Sequence, residues 1–343
     1  MKRVLYLLVA LSLLCACAPA SAERYTASFF DVFDTASQIV IYTDDQQEAN
    51  RIAQTVHDEL LYYHQLFDQY NDTPGVNGVY TLNLQAAKKP VTVDEPLFRL
   101  LWLGKEMHTK TGGKVNITMG SVLSLWHDAR EQGLHDPQSA SLPDIAALKE
   151  AARHIDPSDL ILDPENQTVF FADPELRLDL GAVAKGYAVE QVADLLEAEG
   201  HTGIVLSIGG NVRTIGCRPD GTIFSIGIQN PDLNSDIQHI AVAALKDASL
   251  VTSGSYQRYY TVDGKQYNHI IDPETLMPAE HTWSVSVITQ DSGLADALST
   301  ALFTMTPDAG MAFLENYPGT EALWVLHDGS LLCSEGLEAF LVK

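Results

Sequence analysis

An α+β fold of mixed, largely antiparallel sheets packed with helices is what the sequence predicts, and three observations predict it. Strand-like runs follow one another between Gly203 and Ile288 with only turn signals between them. Helical periodicity appears in separated stretches and does not alternate steadily with strands, which argues against a doubly wound sheet. No fixed-period repeat, low-complexity tract or Pro/Gly/Ser linker divides the chain after about Glu23, so the rest reads as one large domain or two intimately packed lobes.

In chain order, Ser37 to Tyr42 has strand character, and Glu48 to Tyr63 carries a helical stripe through Ile52, Val56, Leu60 and Leu61. A second helix covers Leu97 to Thr111 and stops at Gly112-Gly113. Strands are predicted at Thr168–Phe171, Gly203–Ile208, Ile223–Ile228, Ser249–Thr252 and Ser284–Thr289, with turns at Pro219-Asp220-Gly221 and Asp263-Gly264. Helices are predicted at Tyr187–Glu199 and Leu294–Met305, and terminal strands at Trp324–Leu326 and Ala339–Leu341.

The N-terminus reads as an address. Lys2 and Arg3 precede the apolar run Val4 to Leu14, too short for a bilayer span, which needs about 20 residues. Cys17, preceded by Ala16, fits lipoprotein processing; cleavage after Ala20-Ser21-Ala22 is the alternative. The expected plan is a signal peptide at 1–16, an anchor and short tether at 17–28, and a domain at 29–343. Durable anchoring needs more than one acyl chain, which a processed lipoprotein cysteine carries.

Beyond the anchor only Cys217 and Cys333 remain, as two buried thiols or a bridge, so stability comes from a core and not from a disulfide scaffold. A 46% hydrophobic composition supplies that core. The net charge of −24 becomes −26 without Lys2 and Arg3, which excludes nucleic acid as a partner and electrostatic adhesion to membranes.

Four stretches carry chemistry. Leu178-Asp179-Leu180-Gly181-Ala182-Val183-Ala184-Lys185-Gly186-Tyr187 is a strand end, a small-residue turn and a helix start, where backbone approaches a ligand closely and a phosphate is favoured. Ile208-Gly209-Gly210-Asn211-Val212-Arg213 places a glycine pair after an apolar strand, which alone would merely close a turn. Thr252-Ser253-Gly254 followed by Asn268-His269-Ile270-Ile271-Asp272-Pro273 offers hydroxyls and an imidazole for phosphate binding and proton movement, although a lone His is more often a structural side chain. Asp296 and Thr300 lie four apart on one helical face, two hard oxygen donors that suit Mg2+. The plain reading of that pair is a helix-start acid and a Thr bonded back to a carbonyl.

In this order, with Phe33-Asp34-Thr35 and Asn116-Ile117-Thr118-Met119-Gly120 to Trp126, these stretches resemble the ApbE family of FAD:protein FMN transferases over about Phe29 to Met305. The resemblance implies that Asp296, Thr300 and the Ala182 carbonyl hold Mg2+. It implies that Phe33, Tyr70, Lys114, Val115, Asn116, Asp179, Lys185, Thr252, Ser253, Gly254, His269 and Ile270 contact FAD. It also implies transfer of FMN from FAD to a Ser or Thr hydroxyl of an exported or membrane-bound flavoprotein, with release of AMP. His269 or Asp272 is expected to take the acceptor's proton. Hydrolysis of FAD to FMN and AMP, or flavin binding without catalysis, are the competing readings; the bulky aromatic at Tyr70 favours transfer by resemblance, and a metal beside the pyrophosphate argues against a mere binder. Three positions depart from the family pattern: Leu276 and Asp34 stand where glycine is usual, and Ser255 where Asp is common.

Overall fold

The computed structural model describes residues 22–342 of the 343, so the signal peptide and Cys17 lie outside the described residues. The first half runs β1 (Glu23–Phe29), β2 (Ser37–Thr43), α1 (Gln46–Phe67), α2 (Val79–Gln85), β3 (Val91–Thr92), α3 (Glu95–Lys110), α4 (Gly120–His135), α5 (Ile145–Ala151), β4 (Leu160–Asp163) and β5 (Thr168–Phe171). The middle holds α6 (Ala184–Ala198), β6 (Ile204–Ile208), β7 (Asn211–Ile215), β8 (Phe224–Gln229), β9 (His239–Leu245) and β10 (Ser249–Gly254). The rest is β11 (Tyr259–Val262), β12 (Lys265–Asn268), β13 (Ser284–Thr289), α7 (Ser292–Phe303), α8 (Pro307–Leu314), β14 (Glu321–Val325) and β15 (Leu331–Cys333).

The fold is α+β. An eight-stranded sheet in the order β1-β2-β6-β7-β10-β13-β14-β15 is antiparallel at every pairing. β13 is buried at all six positions because α7 covers one face and the β8–β9 hairpin side the other. β2 instead alternates, turning Ile39 and Ile41 inward, and each such buried side chain contributes about 1.5–3 kcal/mol. α1, α6 and α7 form the layer on the main core face; α1 starts at Asp45, whose carboxylate accepts the Gln47 N–H, and buries Ile52, Val56, Leu60 and Leu66. A third, smaller core joins α4 and α5 to the β11–β12 hairpin around Trp126 and Tyr260.

Three sequence expectations are corrected. Glu23–Phe29, most of it assigned to a tether, is an edge strand paired with β2 along its whole length, so these residues belong to the folded unit. Ala339–Leu341 is not a strand: a 3-10 turn covers Leu337–Ala339, and Leu341 makes one isolated bridge to Ala243. Cys217 is a half-buried thiol and Cys333 an exposed one, neither buried nor bridged. Among the described residues no helix is long and apolar enough to cross a membrane.

Candidate active site

The site is built where the starts of α6 and α7 meet. Gly186 makes this contact possible: a Cβ there would lie 2.3 Å from the Ser292 carbonyl oxygen and 2.4 Å from Asp296 Cβ. The Gly186 N–H, unpartnered by its own helix in the first turn, donates to Asp296 Oδ2 at 2.8 Å. Asp296 is 4% exposed, and its other oxygen faces the Lys185 ammonium at 3.9 Å. Burial pushes its carboxyl up, opposed by Lys185, the Gly186 N–H and the neighbouring Asn211 amide. That amide lies beside the carboxylate outside hydrogen-bond geometry, and its Nδ2 is buried without a partner.

The donors suit a small hard cation. Asp296 keeps one oxygen clear of any N–H, and among the described residues no backbone N–H claims the Ala182 carbonyl. Thr300 follows Asp296 by one helical turn, and the Asp296 carbonyl, to which Thr300 would bond back, accepts from Ser299 Oγ at 3.0 Å. One carboxylate, one hydroxyl and one carbonyl leave half of an octahedral shell to water and phosphate, as suits Mg2+. No three His, Cys, Asp or Glu side chains cluster among the described residues, so a zinc-type site is not what this donor set offers.

His269 stands among cations. Its Nδ1 lies 3.1 Å from the Arg258 carbonyl and therefore carries the proton, leaving Nε2 as the free lone pair. Protein crowds the ring although it remains open to solvent. That desolvation, followed by the charge of Arg258 and those of Lys185 and Arg130, holds its pKa well below the ordinary imidazole value. Because the ring is accessible, we assign the direction to the crowding and the three cations and not to full burial. Tyr70 stacks on His127 with centroids 4.6 Å apart, and Arg130 Nη2 reaches His127 Nδ1 at 3.3 Å. Crowding, and the nearby Asp179 carboxylate, push the Tyr70 phenol up to about 12, so it stays protonated.

Other predicted residues hold the frame. Asp179 accepts from Gln69 Nε2 at 2.7 Å and from the Gly181 N–H at 2.8 Å, fixing the turn before α6 beside Tyr70. Lys114 pairs with Asp272 at 3.0 Å and Glu274 at 3.1 Å; burial opposes its charge, but these carboxylates prevail and raise its pKa. Asp272 Oδ1 takes both Lys114 and the Glu274 N–H, so it is a positioning carboxylate and the less available base. Asn116 spends its amide on Ile155 and Thr118. Val115 and Ile270 are core side chains whose N–H groups go to Thr111 and Asn268, so neither has a free N–H for a ligand. Ser253 Oγ meets Ser299 Oγ of α7 at 2.8 Å, whereas Thr252 turns to the opposite face and Ser286. Phe33 packs on the core and gives its N–H to His64. At Gly254 a Cβ would strike the Tyr256 ring at 2.5 Å.

A sequence model of the ApbE family matches residues 33–324, most of the chain. The chain belongs to the ApbE family. The FAD:protein FMN transferase of Klebsiella pneumoniae is 32% identical over 299 residues, 86% of this chain and 87% of that protein. The FAD:protein FMN transferase of Treponema pallidum is 34% identical over 271 residues, 75% of this chain and 72% of that protein. The crystal structure of the ApbE protein from Thermotoga maritima superposes with a TM-score of 0.82 at 29% identity, covering 94% of this chain and all of that one.

Membership in the ApbE family makes the departures informative. Asp34 and Leu276, where the resemblance leads one to expect glycine, keep a left-handed backbone at φ 49° and 59°. Each is held by a side chain on its carbonyl: Arg258 Nη2 on Asp34 at 3.0 Å and Trp126 Nε1 on Leu276 at 2.9 Å. Sequence reasoning missed Gln69, His127, Arg130 and Arg258. The 127/130 spacing on the helix after Trp126 was the available signal for two of them; Arg258 and Gln69 carry none.

Proposed function

We propose that this ApbE-family transferase moves FMN from FAD to a Ser or Thr hydroxyl of an exported or membrane-bound flavoprotein, with Mg2+, releasing AMP. The observation that carries this reading is an imidazole with a free Nε2 and a buried carboxylate that share Lys185 as a charged neighbour, with Arg130 and Arg258 acting on the same imidazole. In an acidic chain, Lys185, Arg130 and Arg258 form a local positive site that suits a pyrophosphate.

The acceptor oxygen attacks the FMN-side phosphorus, the bond from that phosphorus to the bridging oxygen breaks, and the electron pair leaves with AMP. His269 Nε2 takes the acceptor's proton, while the Arg258 carbonyl holds the opposite N–H and fixes the tautomer. Asp296, Thr300 and the Ala182 carbonyl would hold Mg2+, which when bound neutralises charge on the pyrophosphate. Lys185 reaches the same place as a point charge. Tyr70, half exposed and stacked on His127, offers a flat face for a flavin or adenine ring. Export and lipid anchoring at Cys17 complete the reading and put the enzyme on the outer face of the cytoplasmic membrane.

The test is incubation with FAD, Mg2+ and a candidate acceptor domain, following acceptor mass and AMP. An FMN-sized gain that disappears with EDTA and in Asp296→Ala is expected. AMP with free FMN and no labelling would replace transfer by hydrolysis, and no turnover would leave a flavin-binding protein. A His269→Ala variant with near wild-type rate and unchanged pH dependence would remove His269 as the base.

A further inference from the structure

β7 turns two buried polar side chains toward α6 and α7, and the proposed reaction uses neither. Asn211 and Arg213 alternate along the strand and so share one face; they are 1% and 5% exposed. All three nitrogens of the Arg213 guanidinium have acceptors. Nε lies 3.3 and 3.2 Å from the two Glu190 oxygens, Nη2 lies 3.1 Å from Glu190 and 3.2 Å from Glu197, and Nη1 donates to the Thr214 carbonyl at 2.6 Å. Glu190, so held on α6, accepts the Ser292 N–H of α7 through Oε2 at 2.6 Å.

This contact belongs to a pair. Glu190 follows Gly186 by one helical turn on α6, and Ser292 precedes Asp296 by one turn on α7. Gly186 donates to Asp296, and Ser292 donates to Glu190, so the two bonds run in opposite directions across antiparallel helices and fix their register twice. At Gly186 the helices touch backbone to backbone, so the upper bond has no slack to absorb a slip in the lower. Asn211 brings its unpartnered Nδ2 to the level of Asp296, and Arg213 works one turn below at Glu190.

A buried ion pair is a weak source of stability, since an apolar pair of similar volume packs as well without the desolvation cost; its better-supported use is to specify one arrangement over its neighbours. We propose that Arg213 and Glu190, with Asn211, are positioning residues for the metal site, setting α7 on α6 so that Asp296 presents its free oxygen beside Lys185. This rests on the reading of Asp296 as a metal ligand.

The experiment is Mn2+ binding to the purified full-length protein, followed by electron paramagnetic resonance without turnover, with thermal melting in parallel. Glu190→Gln keeps an acceptor for Ser292 but loses the charge-paired fork; Mn2+ affinity is expected to fall roughly 10- to 100-fold, the usual loss when a ligand's support is removed. The Mg2+ needed for half-maximal transfer rises in step, with kcat at saturating Mg2+ close to wild type. The double variant Glu190→Met/Arg213→Met, which replaces the pair by apolar volume, is expected to melt near wild type and still bind Mn2+ weakly. Wild-type Mn2+ affinity in both variants would show the pair to be structural only and overturn the proposal. Asp296→Asn separates the two readings: if it binds Mn2+ as wild type does, the ligand assignment fails, and with it this inference.

Discussion

If His269 is the base, as proposed, one side chain sets the pH range of the reaction. Its neutral form is favoured by crowding and by Arg258, Lys185 and Arg130, and its folded pKa lies below the unfolded value of 6.5. The unfolded chain therefore binds more protons between these two values, so this His costs stability as pH falls below 6.5, while the base stays unprotonated through neutrality. The acid limb of kcat/KM is expected below pH 6.5. Arg258→Ala should move the limb upward, because the guanidinium is removed while the carbonyl that fixes the tautomer stays. A pH–rate profile with the limb unmoved in Arg258→Ala would separate the limb from His269. The histidine was legible in the sequence through its place before Ile270-Ile271-Asp272-Pro273, but Arg258 was not. Its guanidinium reaches Asp34, more than 200 positions away in the chain, and no local pattern marks such a contact. The same physics separates the two base candidates. As a residue type Asp272 is the weaker base unless burial raises its pKa, and only the fold shows that it is held by Lys114. Replacing Lys114 by Met would leave that carboxylate buried without its cation and should cost about 3 kcal/mol in urea unfolding.

At the scale of elements, the α6–α7 contact is the part of the frame that tolerates least. Its prediction concerns one methyl group: Gly186→Ala places a Cβ against the Ser292 carbonyl and Asp296 Cβ, both backbone-anchored, so the helices must separate. We expect a lower melting temperature, an overpacking cost of about 1–3 kcal/mol, and loss of FMN transfer larger than that destabilisation explains. Retained transfer with unchanged melting would mean that the helices have more freedom than this contact allows. Both helices were readable because their apolar residues recur at helical spacing, and α7 was readable although almost wholly buried. β1 was not: Glu23, Arg24 and Thr26 interrupt it, and an edge strand with only one neighbour needs little apolar surface. Ala339–Leu341 failed in the opposite sense. Its apolar residues fit a strand or a buried turn equally, and the packing of Leu337 and Phe340 into the second core chose the turn.

For the molecule as a whole, charge and address act together. A chain of net charge −24 repels anionic surfaces, and the cations that matter are gathered around His269, so the protein does not hold itself to a bilayer electrostatically. Anchoring, in the proposed reading, falls to Cys17. A lipid there would hold the β1 edge of the sheet within the roughly 18 Å that five extended residues, 18–22, can span. β1 belongs to the sheet, however, so a chain shortened to begin at Asp31 should melt lower and aggregate through the bared β2 edge, whereas one beginning at Ala22 should not. The anchor is a proposal from four residues of sequence, whereas β1 was not legible there, because pairing with β2 is a property of the sheet. Cys17→Ala separates address from catalysis. It should move the protein from the detergent phase to the aqueous phase on partitioning while leaving FMN transfer to a soluble acceptor unchanged, and detergent-phase partitioning that survives the substitution would place the anchor elsewhere.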